Sequence, residues 1–132
     1  MQLAEYLQKV QGVGILATAN KEGEVDAAIF APPRVLRDGE VAFVMRDRLT
    51  HKNLQANPNA HYLFMEEAGH HRGIRLFLRK TREETDPKLL ATMTRRHLPP
   101  DEDKARGPKF LVFFAVTRIL PLLGSGESPV SP

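Results

Sequence analysis

Between residues 13 and 46 the chain lays down short apolar runs separated by turn residues, and that succession constrains the fold most. Residues 13–19 (VGILATA) end in Asn20-Lys21-Glu22-Gly23, residues 25–31 (VDAAIFA) stop at Pro32-Pro33, residues 34–36 resume the extended chain, and residues 41–45 (VAFVM) follow Asp38-Gly39. An Asp-Gly pair suits a two-residue hairpin turn, because both central positions of a type I′ turn need positive φ. Proline within a strand is tolerated at an edge, an end or a bulge. Three turn-linked strands therefore fill residues 13–46. Consecutive hairpins build an antiparallel sheet, not βαβ units.

The rest of the chain adds strands and a few short helices. Leu3, Tyr6, Leu7 and Val10 recur at helical spacing over residues 2–10. Thr50 can cap a helix running to Asn57, where Pro58 stops it. Residues 60–65 and 73–80 read as strands. Asp86-Pro87 is a cap with proline at the first helical position, and a helix over 87–97 fits that start. Residues 99–108 read as a proline- and charge-rich loop, residues 109–120 as the most apolar and central strand, and residues 121–132 as a loose tail. The expectation is a mainly β domain over residues 1–120, with six or seven antiparallel strands, short helices and a tail at 121–132. That many short strands in one small domain most often close into a barrel, which removes exposed edges.

Composition narrows the function. At 132 residues one domain is expected. No cysteine is present, which excludes disulfides, thiolate catalysis and cysteine-held metals. The longest apolar run, residues 110–116, falls far short of the ~20 residues that span a bilayer. The first ten residues carry Glu5 and no apolar block, so no secretory signal is expected and the cytoplasm is the expected address. A net charge of +3 without a recognition motif does not argue for nucleic acid, but it favours a small anionic ligand where cations converge.

Such a convergence is suggested at Arg46-Asp47-Arg48-Leu49-Thr50-His51-Lys52-Asn53-Leu54. A strand ends, a polar loop follows and a helix begins. The first helical turn offers free backbone N–H groups and the positive end of the dipole. Thr50 adds a hydroxyl, and Arg46, Arg48 and Lys52 add charge. A phosphate monoester needs such donors. Taken alone, the stretch reads equally as a capped surface helix with solvated basic residues, which is the commoner case.

Over residues 13–80 the succession of pieces resembles the FMN-binding split-barrel superfamily, which includes pyridoxamine 5′-phosphate oxidase. The resemblance rests on Leu16-Ala17-Thr18-Ala19-Asn20 before a glycine turn, on the second strand, on Asp38-Gly39-Glu40, and above all on the run from Leu49 through Lys52-Asn53-Leu54 to Asn57-Pro58. It implies a split β-barrel that holds FMN at the interface of a homodimer. The phosphate would sit at Arg46, Thr50, Lys52 and Asn53. The ring edge would meet the backbone of Ala28, Ile29, Phe30 and Ala31 and the strand residues Val44 and Met45. Apolar strands such as residues 110–116 are a further motive for expecting a dimer.

The chain also departs from the oxidase. Leu49-Thr50 stands where the oxidase has Arg-Lys, Phe43-Val44 where it has an aromatic residue and Thr, and the C-terminal substrate-binding Arg and His have no counterpart. A smaller relative is therefore expected, with another substrate. Two functions remain open: a flavin-dependent oxidoreductase fed by NAD(P)H or another small electron donor, and a non-catalytic flavin- or haem-binding storage or sensor protein. His70-His71 reads as a solvated turn, Glu66-Glu67 as a solvated strand end, and Arg95-Arg96-His97 as a complement to a helix C-terminus. No metal site is expected.

Overall fold

The computed structural model describes residues 1–37, 39–94 and 97–132. Asp38 of the expected hairpin turn, and Arg95 and Arg96, lie outside the described residues. The chain runs α1 (Leu3–Lys9), β1 (Gly12–Ala19), β2 (Val25–Ile29), β3 (Arg34–Arg37), β4 (Glu40–Arg46), α2 (Leu49–Ala56), β5 (Asn59–Glu66), β6 (Gly73–Glu84), α3 (Pro87–Met93), α4 (Pro100–Ala105) and β7 (Lys109–Pro121). The strands form one sheet of seven, in the order β2-β1-β5-β6-β7-β4-β3. Every strand pair is antiparallel. The two end strands, β2 and β3, are consecutive in the chain and do not pair among the described residues, so the curled sheet stays open between them. This is the mainly β, seven-stranded split architecture that the sequence led us to expect.

Period-2 alternation sets the interior. Leu16, Tyr62, Phe64, Ile74, Leu76, Val112 and Phe114 point into the barrel at 0% exposure. Each contributes about 1.5–3 kcal/mol relative to an exposed side chain. Leu3, Tyr6 and Leu7 of α1 and Leu54 of α2 join the same core. Outside the barrel a second, smaller core forms where Leu90 of α3 covers Ala42, Leu111 and Phe113. Among the described residues no helix is long and apolar enough to cross a membrane.

Four local expectations change. The N-cap of α2 is Arg48, and Thr50 lies inside the helix, buried at 5% exposure. Residues 99–108 hold the short helix α4, which starts with proline at its first turn and carries Asp101, Glu102 and Asp103 there, where acids complement the dipole. β6 continues to Glu84, because the guanidinium of Arg82 lies 3.6 Å over the Phe113 ring and lets a charged segment pair along β7. Finally, the tail is tied at its end. Val130 is 4% exposed. The Leu3 N–H donates to Ser131 O at 2.8 Å, and Arg75 donates to Pro121 O at 2.9 Å. One buried valine in a run of Pro, Gly and Ser was too small a signal to predict this docking.

Candidate functional site

A cavity of about 220 Å³ opens beside β4, at the split of the barrel. Phe30, Ala31, Pro32 and Arg34 line it from the β2–β3 connection, residues Ala42 to Arg46 from β4, Met93 and Thr94 from the end of α3, and Lys109 from the start of β7. Strand pairing aims these groups. Arg34 lies opposite Ala42, and Arg46 opposite Lys109, so all four share the outer face with Val44. Phe30 is fixed by its own backbone. Its N–H donates to Gly14 O at 3.0 Å, its carbonyl accepts from the Tyr62 hydroxyl at 3.0 Å, and its ring meets Phe43 edge-on at 5.9 Å.

The lining residues include three cations, Arg34, Arg46 and Lys109, and no acid. Arg46 is held from α4: Nη1 donates to Asp103 O at 3.0 Å and to Gly107 O at 2.7 Å, and Nη2 to Asp103 Oδ1 at 2.6 Å. Lys109 Nζ stands 3.3 Å from the same carboxylate. The hydrogen bond from Arg46, followed by that from Lys109, outweighs burial and lowers the Asp103 pKa. Arg34 is different. Its Nε is buried without a hydrogen-bond partner. Leaving a buried donor unpaired costs about 1–3 kcal/mol, more for a charged group, and such exceptions need a reason.

Half of the residues expected at a cofactor site meet here: Phe30, Ala31, Val44, Met45 and Arg46 line the cavity. The others do not. Ala28 is half-buried opposite Leu16 in β1, and Ile29, opposite Ile15, is 79% exposed. Thr50 and Asn53 are buried on α2, where the Asn53 amide donates to Thr18 Oγ1 at 3.1 Å, and Lys52 is exposed. The reason is helical geometry: the first turn of α2 directs Thr50 and Asn53 inward to the barrel end instead of sideways to the strand face. Sequence reasoning missed Arg34, Lys109, Met93 and Thr94. Lys109 opens the most apolar strand directly after a proline, which is a usable signal. Arg34 after Pro32-Pro33 resembles any surface arginine.

Beside the cavity, α2 is clamped to β6. His51 is 6% exposed and stacks on Phe110 at 3.9 Å. Its Nδ1 lies 2.9 Å from Asp47 Oδ1 and its Nε2 lies 3.0 Å from Glu83 Oε2. Glu83 also accepts from Gln55 at 2.8 Å and from Lys80 at 2.6 Å. Burial raises the Glu83 pKa, but the hydrogen bonds from Gln55, Lys80 and His51 outweigh it and bring the carboxyl down to about 2. His61 has a separate setting, edge-on to Phe77 at 4.6 Å, with its pKa lowered by burial and by Arg75. His70 and His71 lie in an exposed turn at φ 63° and 53°. Glu66 is more than a solvated strand end, since it accepts from the Tyr6 hydroxyl at 2.6 Å. Among the described residues no histidine lines the cavity, and no group of three or more His, Cys, Asp or Glu is arranged to hold a metal ion.

No known family model matches the sequence, and no curated protein matches it. Solved structures match over nearly the whole chain. An FMN-binding protein from Syntrophomonas wolfei subsp. wolfei is 16% identical with a TM-score of 0.74, over 93% of this chain and 85% of that one. An F420 reductase is 16% identical with a TM-score of 0.67, over 90% and 97%. The haem storage protein HutZ from Vibrio cholerae is 17% identical with a TM-score of 0.66, over 92% and 95%. At these identities the likeness establishes the fold.

Proposed function

We propose that this chain, a split barrel like those three proteins, binds FMN beside β4 and acts as a flavin-dependent oxidoreductase in a homodimer. One observation carries the reading: the cavity joins apolar walls, Phe30, Val44, Met45 and Met93, to three cations with no acid among its lining residues. FMN has the matching halves, a flat ring with apolar faces and a phosphate. Apolar walls with a few placed polar groups are the common design of cofactor sites. The cavity, at about 220 Å³, is smaller than the ~300–1,000 Å³ of complete ligand sites, which fits one subunit's share of a site that a second copy completes.

Bound FMN supplies the electron transfer, and the protein supplies binding, orientation and exclusion of water. Phe30, Val44 and Met45 are the wall for the ring. Arg46 and Lys109 are the phosphate end, where the ligand's charge competes with Asp103. Lys52, exposed on α2, adds positive charge from outside the cavity. The electron donor in this reading is NADH, NADPH or another small reductant. The FMN-binding and F420-dependent proteins of the same fold support flavin chemistry. HutZ supports haem, but the cavity offers no histidine among the described residues, and both ring nitrogens of His51 are already engaged.

The test is titration of the purified protein with FMN and with haemin, followed by anaerobic addition of NADH or NADPH. Quenching of FMN fluorescence at a one-to-one ratio, and bleaching of the flavin band by a nicotinamide, are the expected results. Tight haemin binding with a Soret band and no uptake of FMN overturns the reading. FMN binding without reduction by any donor leaves a flavin carrier and removes the enzyme.

A further inference from the structure

The cavity has two cationic ends. Arg46 and Lys109 face each other at one end of β4, and Arg34 stands opposite Ala42 at the other. Ala42 and Arg46 are four residues apart on one strand, which separates the two ends by roughly 13 Å. A single phosphate cannot reach both. The ends also differ in state. Arg46 and Lys109 already hold Asp103, whereas Arg34 Nε is buried with no partner, beside Phe30, Ala31 and Pro32. A buried guanidinium N–H without an acceptor inside a ligand-sized cavity is a donor awaiting an acceptor from the ligand.

We infer that Arg34 is a ligand-binding residue that donates to an acceptor oxygen on the ring end of the bound molecule, opposite its phosphate. This rests on the FMN reading above and deepens it: the acceptor is a carbonyl oxygen of the flavin ring. The site then reads an elongated ligand at both ends, with the aromatic and aliphatic walls between. Arg34 selects the ring, and Arg46 with Lys109 selects the phosphate. The unpaired donor also makes Arg34 a burden on the ligand-free protein, so its removal separates stability from binding.

The experiment compares wild type, Arg34→Met, Arg34→Lys and Arg46→Ala, each titrated with FMN, riboflavin and haemin by fluorescence quenching or absorbance, with the melting temperature of each ligand-free protein. Arg34→Met is expected to weaken FMN and riboflavin by the same factor, about ten- to a hundred-fold for a lost hydrogen bond to a charged donor. Its ligand-free form is expected to melt no lower than wild type. Arg34→Lys keeps the charge without the planar fork and is expected to recover only part of the binding. Arg46→Ala is expected to weaken FMN alone. Loss confined to FMN in Arg34→Met moves Arg34 to the phosphate and overturns the inference, as does unchanged flavin binding. A lower melting temperature together with lost binding makes Arg34 structural and also overturns it. Wild type that binds FMN, with an unaffected Arg34→Met, removes this inference alone. Wild type that takes up haemin and no flavin removes both readings.

Discussion

Gly14 lacks a side chain because Tyr62 occupies the space: a Cβ there would fall on the Tyr62 hydroxyl. That hydroxyl donates to Phe30 O at 3.0 Å, so one small residue inside the barrel sets the position of a cavity wall. Gly14→Ala is expected to cost about 1–3 kcal/mol by overpacking and to weaken FMN as well, because Phe30 loses its anchor. Urea midpoints and FMN titration of the variant check both, and an unchanged midpoint would show that Tyr62 can move freely. The cations divide differently. Arg46→Ala is expected to weaken FMN about ten- to a hundred-fold and to spare riboflavin, since charge-assisted bonds to phosphate contribute roughly 1.5–3 kcal/mol. Equal losses for both ligands would instead mean that the variant acts by releasing α4. Exposed Lys52 is a screened charge worth at most about 1 kcal/mol, so Lys52→Ala is expected to cost FMN about fivefold or less. Arg46 was legible as a basic residue closing a strand before a helix. Arg34 was not, because what distinguishes it, a buried and unpaired Nε, exists only once β3 is laid beside β4.

At the scale of elements, the strongest polar joint ties α2 to β6 through Glu83. Its carboxyl is lowered from 4.5 to about 2: burial opposes this, and hydrogen bonds from Gln55, Lys80 and His51 prevail. A depressed carboxyl contributes stability above its unfolded value and loses it as the pH falls toward its folded value. Wild type is therefore expected to lose stability between about pH 4.5 and pH 2, and Glu83→Gln to be weaker at neutral pH and flatter across that window. Urea midpoints at stepped pH measure this. An acid limb of undiminished slope in Glu83→Gln would assign it elsewhere, with Asp103, also lowered, as the next group to replace. The joint also explains where element prediction ended early. β6 was readable to Lys80 from its alternation, but beyond it Thr81 to Glu84 look like a charged loop until β7 and α2 supply partners for Arg82 and Glu83. α4 was hidden likewise. It has no buried residue and so no apolar period, and its hold on the protein is Arg46 gripping Asp103. The hairpins and α1 were legible because turn chemistry and spacing act locally.

At the scale of the whole molecule, the sequence pointed to a dimer through residues 110–116, yet Leu111 to Phe114 are 0–2% exposed and belong to the cores of one chain. The apolar surface that remains lies elsewhere. Register puts Ile29 beside Ile15 and Ala27 beside Ala17 across β1–β2, then Leu63 beside Ile15 and Met65 beside Val13 across β1–β5. All of them point away from the barrel interior that Leu16, Tyr62 and Phe64 fill. Val25 is 74%, Ile29 79%, Val13 49% and Met65 46% exposed. A three-strand apolar face of this kind is uncommon on a monomer and typical of an interface, where a stable pair buries about 800 Å² on each side. The face reaches the cavity through β2, whose last residue, Ile29, precedes the cavity-lining Phe30 and Ala31. A second copy laid on this face would thus close the site that one chain leaves open. The chain is expected to sediment at twice 14.8 kDa, and Ile29→Lys with Leu63→Glu to sediment as a folded single chain, since neither side chain enters a core. FMN affinity is expected to fall with the dimer and to recover at protein concentrations that restore it. A single-chain variant that binds FMN as tightly as wild type would show that the cavity is complete within one subunit and that the apolar face serves another partner.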